Sequence, residues 1–197
     1  FLSKEAGHQV TNEQDTIDID GVPGHMDCVI DDVPVDVKSA SKYGFEKFKT
    51  GSLLDPGKDS FGYIPQLSGY AHALGSDEAG FLVMDKVMGK LCYMPVHSMD
   101  MINVPERIAH IKEVVASTTP PPRCYEPIAD GKSGNMKLSA NCGYCAFHDD
   151  CWKDSNDGQG LRTFFYSDGP RFLTTVVVEP KVNEKGVEKD VDIKGTS

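Results

Sequence analysis

Apolar and polar residues alternate most regularly between Gly24 and Ser39, with one interruption at Asp31-Asp32. A two-residue turn there sets Ile30 opposite Val33, Cys28 opposite Val35, Asp27 opposite Asp36 and His25 opposite Lys38. Successive side chains of a strand point to opposite faces. His25, Asp27, Asp36 and Lys38 therefore share one face of the expected hairpin. Met26, Cys28, Ile30, Val33, Val35 and Val37 form the other, the expected core face. Pro34 has no N–H to give to a ladder, which suggests a sheet edge or a bulge.

The pattern then changes period. Residues 17–20 alternate like a strand and meet a turn-like link at 21–24. Residues 40–49 read as a short helix or half-ordered segment with Tyr43, Phe45 and Phe48 apolar. Asp59-Ser60 cap a helix running to Leu74, with Ile64, Leu67, Ala71 and Leu74 as its buried stripe, and Gly75 stops it. Two apolar runs, 79–87 and 90–96, meet at Met88-Gly89 as a second hairpin. Pro105 opens a helix over 106–117 that carries Ile108, Ile111, Val114 and Val115. Strands alternating with helices predict an α/β body over residues 1–122, ended by the proline-rich break at 118–122. A cysteine-rich segment, 123–179, follows; its β-branched run near 174–179 predicts a late strand. Residues 180–197 are charged and predict a loose tail.

Composition adds bounds. The chain has 197 residues, 39% hydrophobic and 25% charged, which suits one domain with a small appendage. No run reaches the roughly 20 apolar residues of a membrane-spanning helix. No signal peptide is recognisable at the recorded start, so a cytoplasmic setting is expected. That start is Phe1 rather than Met, which is compatible with a missing upstream helix. The net charge of −10 argues against nonspecific coating of nucleic acid. It does not exclude a nuclease, because metal-binding carboxylates add negative charge. Lys38, Lys42, Lys47, Lys49 and Lys58 are candidates for a local DNA track.

The polar face of the first hairpin carries the chemistry. Two carboxylates directly opposite each other repel. A hard divalent cation such as Mg²⁺ offsets that repulsion, since it takes carboxylate oxygens and retains waters. Lys38 beside it can orient a water or stabilise developing negative charge. On the next helix Gln66 and Tyr70 are four residues apart and project from one face.

These residues resemble a known family. Asp27 with Asp36-Val37-Lys38 resembles the D…(D/E)xK core of the PD-(D/E)xK nuclease superfamily. Gly24-His25-Met26-Asp27 resembles the GxxD strand of its RecB-like exonuclease branch, and Gln66-Leu67-Ser68-Gly69-Tyr70 its Q-x₃-Y helix. The resemblance covers roughly residues 15–175. It implies a restriction-endonuclease-like core, a mixed sheet flanked by helices. It also implies Mg²⁺ or Mn²⁺ held by Asp27, Asp36 and the Val37 carbonyl, with His25 as a further ligand or orienting group. Lys38 would support the attacking water, and Gln66 and Tyr70 would position a DNA strand, single-stranded or at a linear end.

Cys124, Cys142, Cys145 and Cys151 have the spacing C-x₁₇-C-x₂-C-x₅-C. Four thiolates suit tetrahedral Zn²⁺ or an iron–sulfur cluster. His148, inside the loop, is an alternative fourth ligand to Cys124. The C-x₂-C-x₅-C ending resembles the phage-type iron–sulfur exonucleases of the same branch, which implies [4Fe–4S] with zinc as the alternative. Such a centre would pin the appendage to the nuclease body, and Phe147, Trp152, Phe164 and Phe165 would stack bases or pack around the metal. The function implied is a metal-dependent DNA exonuclease acting in phage DNA recombination, repair or degradation. Two other classes stay open: a metal-stapled nucleic-acid-binding or recombination-accessory protein without cleavage, and a redox sensor built on the four cysteines.

Overall fold

The computed structural model describes residues 2–186, which divide into two compact units at Pro120–Pro121. In the first, elements run in the order α1 (Leu2–Glu5), β1 (Val10–Thr11), β2 (Thr16–Ile19), β3 (Val22–His25), β4 (Cys28–Ile30) and β5 (Val33–Ala40). Then come α2 (Lys42–Thr50), α3 (Tyr63–Leu74), β6 (Glu78–Asp85), β7 (Leu91–His97) and α4 (Val104–Ala116). The central sheet has the order β1-β4-β5-β6-β7 among the described residues. It is mixed: β5 and β6 run parallel, and the other neighbours are antiparallel. A parallel pair needs a crossover connection, and here α2 and α3 supply it. The architecture is a mixed α/β one with helices on a central sheet.

The hairpin forms at the expected turn. Asp31 and Asp32 have φ of 49° and 66°, both left-handed, as a type I′ turn requires. Aspartate tolerates that conformation better than most residues, and Asp31 is held in it by His8 Nδ1 at 2.6 Å and by the Gln9 N–H at 2.9 Å. The register is Ile30↔Val33, Val29↔Pro34, Cys28↔Val35, with no bulge. Counting from the turn, Pro34 falls in a non-hydrogen-bonded pair, so its missing N–H costs the ladder nothing.

Two expectations fail beyond Cys28. First, the strand does not continue to His25. β3 pairs with β2 as a separate ribbon, with Thr16↔His25 in register, so His25 does not face Lys38. Asp20 and Gly21 have φ of 51° and 84° and make a competing tight turn. The link expected at 21–24 is thus mostly strand. Between ribbon and hairpin the backbone switches partners: Met26 N donates to Asp15 O at 3.0 Å and Gln14 N to Asp27 O at 2.9 Å.

Second, the faces of β5 are inverted. Asp36 and Lys38 align with Phe81 and Val83 of β6, and Phe81 aligns with Met94 of β7. This is the face that α2 and α3 cover. Phe48 of α2 packs its ring 5.3 Å from that of Phe81. Asp36 is consequently 2% exposed, whereas Val37, expected in the core, is 48% exposed. Val35 is buried on the far face, so β5 is a central strand covered on both sides where it begins.

Helix α3 starts where Asp59 accepts from the N–H groups of Tyr63 (3.0 Å) and Ile64 (2.8 Å), and ends at Gly75 in a left-handed C-cap. Helix α4 is N-capped by Asn103, whose side chain accepts from Glu106 N. Of its apolar residues Val104 is buried and Ile108 half-buried, but Ile111 and Val115 remain exposed.

The second unit contains β8 (Ile128–Ala129), β9 (Met136–Lys137), α5 (Ala140–Gly143), α6 (His148–Cys151), β10 (Arg162–Tyr166), β11 (Gly169–Thr175) and β12 (Asn183–Glu184). Its sheet has the order β12-β10-β11-β9-β8, antiparallel throughout among the described residues. Leu138, Trp152, Phe164 and Leu173 are buried in this unit. The segment expected to be a cysteine-rich appendage with one late strand is therefore built on a five-stranded sheet with its own apolar centre. The late strand ends at Thr175, because the N–H groups of Val177 and Val178 turn to Asn135 Oδ1 at 2.7 and 2.8 Å. The expected tail begins as structure: Glu184 in β12 holds the Arg162 guanidinium at 2.7 Å. The rest of that tail, 187–197, lies outside the described residues. No helix among the described residues is long and apolar enough to cross a membrane.

Candidate active site

β5 delivers the centre of the site. Asp36 and Lys38 are two apart on a strand, so both project to the helix-covered face. The Lys38 Nζ lies 2.6 Å from Asp36 Oδ2. The spacing is that of an ion pair, so Lys38 is the charged partner of this buried oxygen. Burial pushes the Asp36 carboxyl above the usual carboxylate range; Lys38 opposes this, and the nearby Asp27 carboxylate adds to it.

Asp27 reaches the same place by another route. Pairing of β4 with β5 stops at Cys28↔Val35, which leaves the Val37 N–H without a ladder partner on that side. Asp27 Oδ2 takes that N–H at 2.7 Å, and Oδ1 accepts from Gln14 Nε2 at 3.1 Å. A side chain thus completes the ladder that the ribbon interrupts. One carboxylate is pinned to the strand carrying the other, one residue from it.

Helix α3 supplies the third side. Lys38 Nζ donates to Gln66 Oε1 at 3.4 Å, Gln66 Nε2 donates to the Tyr70 hydroxyl at 2.7 Å, and that hydroxyl donates to the His25 carbonyl at 2.7 Å. The two ends of the Gln66 amide have opposite partners, which fixes its orientation. Lys38 also lies 5.1 Å from the centre of the Tyr63 ring. Gly24 explains how Tyr70 comes so close to β3. A Cβ there would lie 3.2 Å from Tyr70 Cε1 and 2.9 Å from Ile19 Cδ1, so only glycine lets the ring lie against the strand.

Asp27, Asp36, Lys38, Gln66 and Tyr70 are therefore gathered at one place. His25 joins through its carbonyl, while its ring Nδ1 is 3.1 Å from Thr16 Oγ1. Among the described residues no group of three or more His, Cys, Asp and Glu side chains is placed to hold one ion, so the His25 ring is not a third ligand beside the two aspartates. The oxygen donors that remain, two carboxylates and the Val37 carbonyl, are of the kind that would suit Mg²⁺ or Mn²⁺. Three contributors escaped sequence reasoning. Gln14 lies in a polar stretch without pattern, Tyr63 looks like any core aromatic, and Gly24 was visible only as part of a motif.

The chain matches no family model and no curated protein. Among solved structures it is similar in part to an alkaline exonuclease (LHK-Exo) from Laribacter hongkongensis, at 18% identity and a TM-score of 0.38, covering 58% of this chain and 66% of that one. A second partial likeness is to the crystal structure of SSO0001, at 12% identity and a TM-score of 0.33, covering 59% of this chain and 58% of that one. The chain spans less than two thirds of the length of either.

The cysteines are arranged differently from the aspartates. Cys145 N donates to Cys142 O at 3.0 Å and Cys151 N to Phe147 O at 2.9 Å, so these three follow one another along tight turns. Cys124, Cys145 and Cys151 are exposed, all four are free thiols, and they do not form a metal-holding set as placed. His148, the alternative ligand, bonds the Cys145 carbonyl through Nδ1 at 2.6 Å and packs on Phe172 at 4.6 Å. Of the aromatics expected to stack bases, Trp152 and Phe164 are buried, under Arg123 at 4.1 Å and Arg162 at 5.0 Å. Phe147 and Phe165 are exposed. In the proposed lysine track, Lys49 is occupied by Glu46 at 3.6 Å and Lys47 by the Lys58 carbonyl at 3.0 Å.

Proposed function

We propose that this chain is a metal-dependent DNA exonuclease hydrolysing phosphodiester bonds at linear ends. One observation carries the reading: Asp27, Asp36, Lys38, Gln66 and Tyr70, distant in sequence, belong to one cluster around the buried Asp36 carboxylate. Two carboxylates meet there with one lysine, and a divalent cation would offset the excess negative charge.

The roles follow from the bonds. Asp27 and Asp36 supply negative oxygens that Mg²⁺ or Mn²⁺ would bind, together with the Val37 carbonyl; when bound, the ion lowers the pKa of a coordinated water and neutralises phosphate charge. Of the three Lys38 N–H donors, one faces Asp36 and one Gln66, which leaves one for the attacking water or a phosphate oxygen. Water attacks phosphorus and gives up a proton to solvent, the bond to the 3′ oxygen breaks, the departing oxygen takes a proton from solvent, and a 5′ phosphate remains. Gln66 and Tyr70 hold Lys38 in place through the chain ending at the His25 carbonyl. The resemblance to RecB-like nucleases agrees with these roles and would set the enzyme in phage DNA recombination, repair or degradation.

Lys38→Ala and Asp36→Ala are the tests. Both should abolish Mg²⁺-dependent degradation of end-labelled linear DNA; undiminished cleavage by both removes the proposal. Binding to DNA without cleavage by the unaltered chain in Mn²⁺ would favour the accessory-protein reading.

A metal on Cys124, Cys142, Cys145 and Cys151 is a separate proposal. Support comes from their spacing and from their all being free thiols. It would be [4Fe–4S], or zinc as the alternative, and it requires residues 124–151 to close around the ion.

A further inference from the structure

Beside the carboxylate cluster lies a groove of about 500 Å³, between the β2–β3 ribbon and helices α3 and α4. Ile19, Pro23, Ile102, Ile108 and Ile111 make its walls apolar. Gln66, Tyr70 and His25, the residues that close the hydrogen-bond chain from Lys38, also line it. The groove thus shares these three residues with the reactive centre.

Arg107 of α4 is the cation of this lining. It is exposed, and its guanidinium has no hydrogen-bond or ion-pair partner among the described residues. The neighbouring acid on the ribbon, Asp20, is already engaged by His72 Nε2 at 3.2 Å. Lys112, one turn along α4, is spent on the Asp20 carbonyl at 2.6 Å. Arg107 is therefore free to meet an anion at the edge of a mostly apolar lining. The apolar stripe of α4 runs on past it, with Ile111 39% exposed.

We infer that this groove seats one unpaired nucleotide of the DNA strand being cut, with its phosphate on Arg107 and its base against Pro23 and the isoleucines. The inference rests on the nuclease reading. A nucleotide is the occupant whose chemistry matches both halves of the groove: one anion, for which a guanidinium has the right fork, and one flat apolar face. The volume lies within the range of small-ligand pockets. Gln66 and Tyr70 would then have two tasks, holding Lys38 on one side and bounding the nucleotide on the other.

The test uses the full chain and a fluorescent single-stranded oligonucleotide, with anisotropy read in EDTA and cleavage read in Mn²⁺. Arg107→Gln should weaken binding and raise KM about tenfold, leave kcat within about twofold, and lower the slope of log affinity against log salt by about one. Replacing bases one at a time by abasic residues should reveal one position near the labelled end at which the unaltered chain loses affinity. Ile111→Asp, at a partly exposed position, should lose that dependence while keeping the salt slope. Unchanged affinity and slope in Arg107→Gln, with no abasic position standing out, overturns the groove assignment and leaves the nuclease reading intact. Neither binding nor cleavage by the unaltered chain overturns both. Self-association that Ile111→Asp abolishes, with DNA affinity unchanged, also overturns it and gives the groove to a second copy of this chain.

Discussion

Replacing Asp36 by Asn should raise stability while abolishing cleavage, and the two effects have one cause. The Asp36 side chain is 3% exposed, and its charge is opposed by Lys38 at 2.6 Å. At an effective dielectric of about 20, a pair that close attracts by about 6 kcal/mol, while burying each ion costs several kcal/mol. Burial outweighs the attraction to Lys38, and repulsion from Asp27 adds to it, so the charged form is disfavoured, in keeping with the raised pKa. Asn has the same shape. Its oxygen can face Lys38 and its amide can donate to Asp27, which turns a repulsion into a hydrogen bond. We expect a gain on the order of 1 kcal/mol at pH 7, or about 2–5 °C in Tm. The pH dependence has a definite sign. A carboxyl whose folded pKa lies above its unfolded value binds more protons in the folded state, so its contribution is present below the ordinary aspartate pKa of about 4 and is lost as pH rises through the folded value. The advantage of Asp36→Asn should therefore be small at pH 4 and grow toward pH 8. Differential scanning fluorimetry across that range, in EDTA, reads it. Added Mn²⁺ should raise the Tm of the unaltered chain and leave that of Asp36→Asn unchanged. A variant that is less stable at pH 8 than the unaltered chain, or that still gains from Mn²⁺, would refute the reasoning.

Tyr70→Phe removes the hydroxyl between Gln66 and the His25 carbonyl, so it should cost about 1 kcal/mol of stability and lower kcat more than KM, read by urea titration and steady-state kinetics. Gly24→Ala should destabilise by about 1–3 kcal/mol, because its Cβ would lie 2.9 Å from Ile19 Cδ1 and 3.2 Å from Tyr70 Cε1 and both side chains must give way; a Tm equal to that of the unaltered chain contradicts the proposed close approach. For the cysteines, anaerobically purified protein should carry iron and sulfide with visible absorbance, or else one zinc, and Cys142→Ser with Cys145→Ser should lose it. A colourless protein free of iron and zinc contradicts a metal there.

The hairpin turn, its register and the helix after it were legible because each rests on a local signal: two aspartates that accept a left-handed turn, strict alternation, and a cap before a periodic stripe. The covered face was not legible. Alternation says which residues share a side, but β6 is apolar at consecutive positions from Ala79 to Val83, so nothing local tells which side the helices take. Asp36 and Lys38 therefore read as the polar face of a hairpin, and Asp36 proved to be buried beside Phe81 with Lys38 half-buried next to it. The departure of His25 was hidden for a similar reason. The Asp20-Gly21 turn competes for the same strand, and the winner depends on where residues 14–16 pair. Gln14 left no pattern at all. In the second unit, residues 162–166 were read for their aromatic rings and not as a strand, and the tail hid the acid that holds Arg162.

Most direct for the proposed chemistry is the release of labelled nucleotide from linear single- and double-stranded DNA by the purified full chain and by Lys38→Ala, with Mg²⁺ or Mn²⁺ and with EDTA. Release that requires the ion and disappears in Lys38→Ala, while its Tm stays close to that of the unaltered chain, is the expected result. Release that persists in EDTA, or that survives loss of Lys38, would mean that the cluster around Asp36 does not cut DNA.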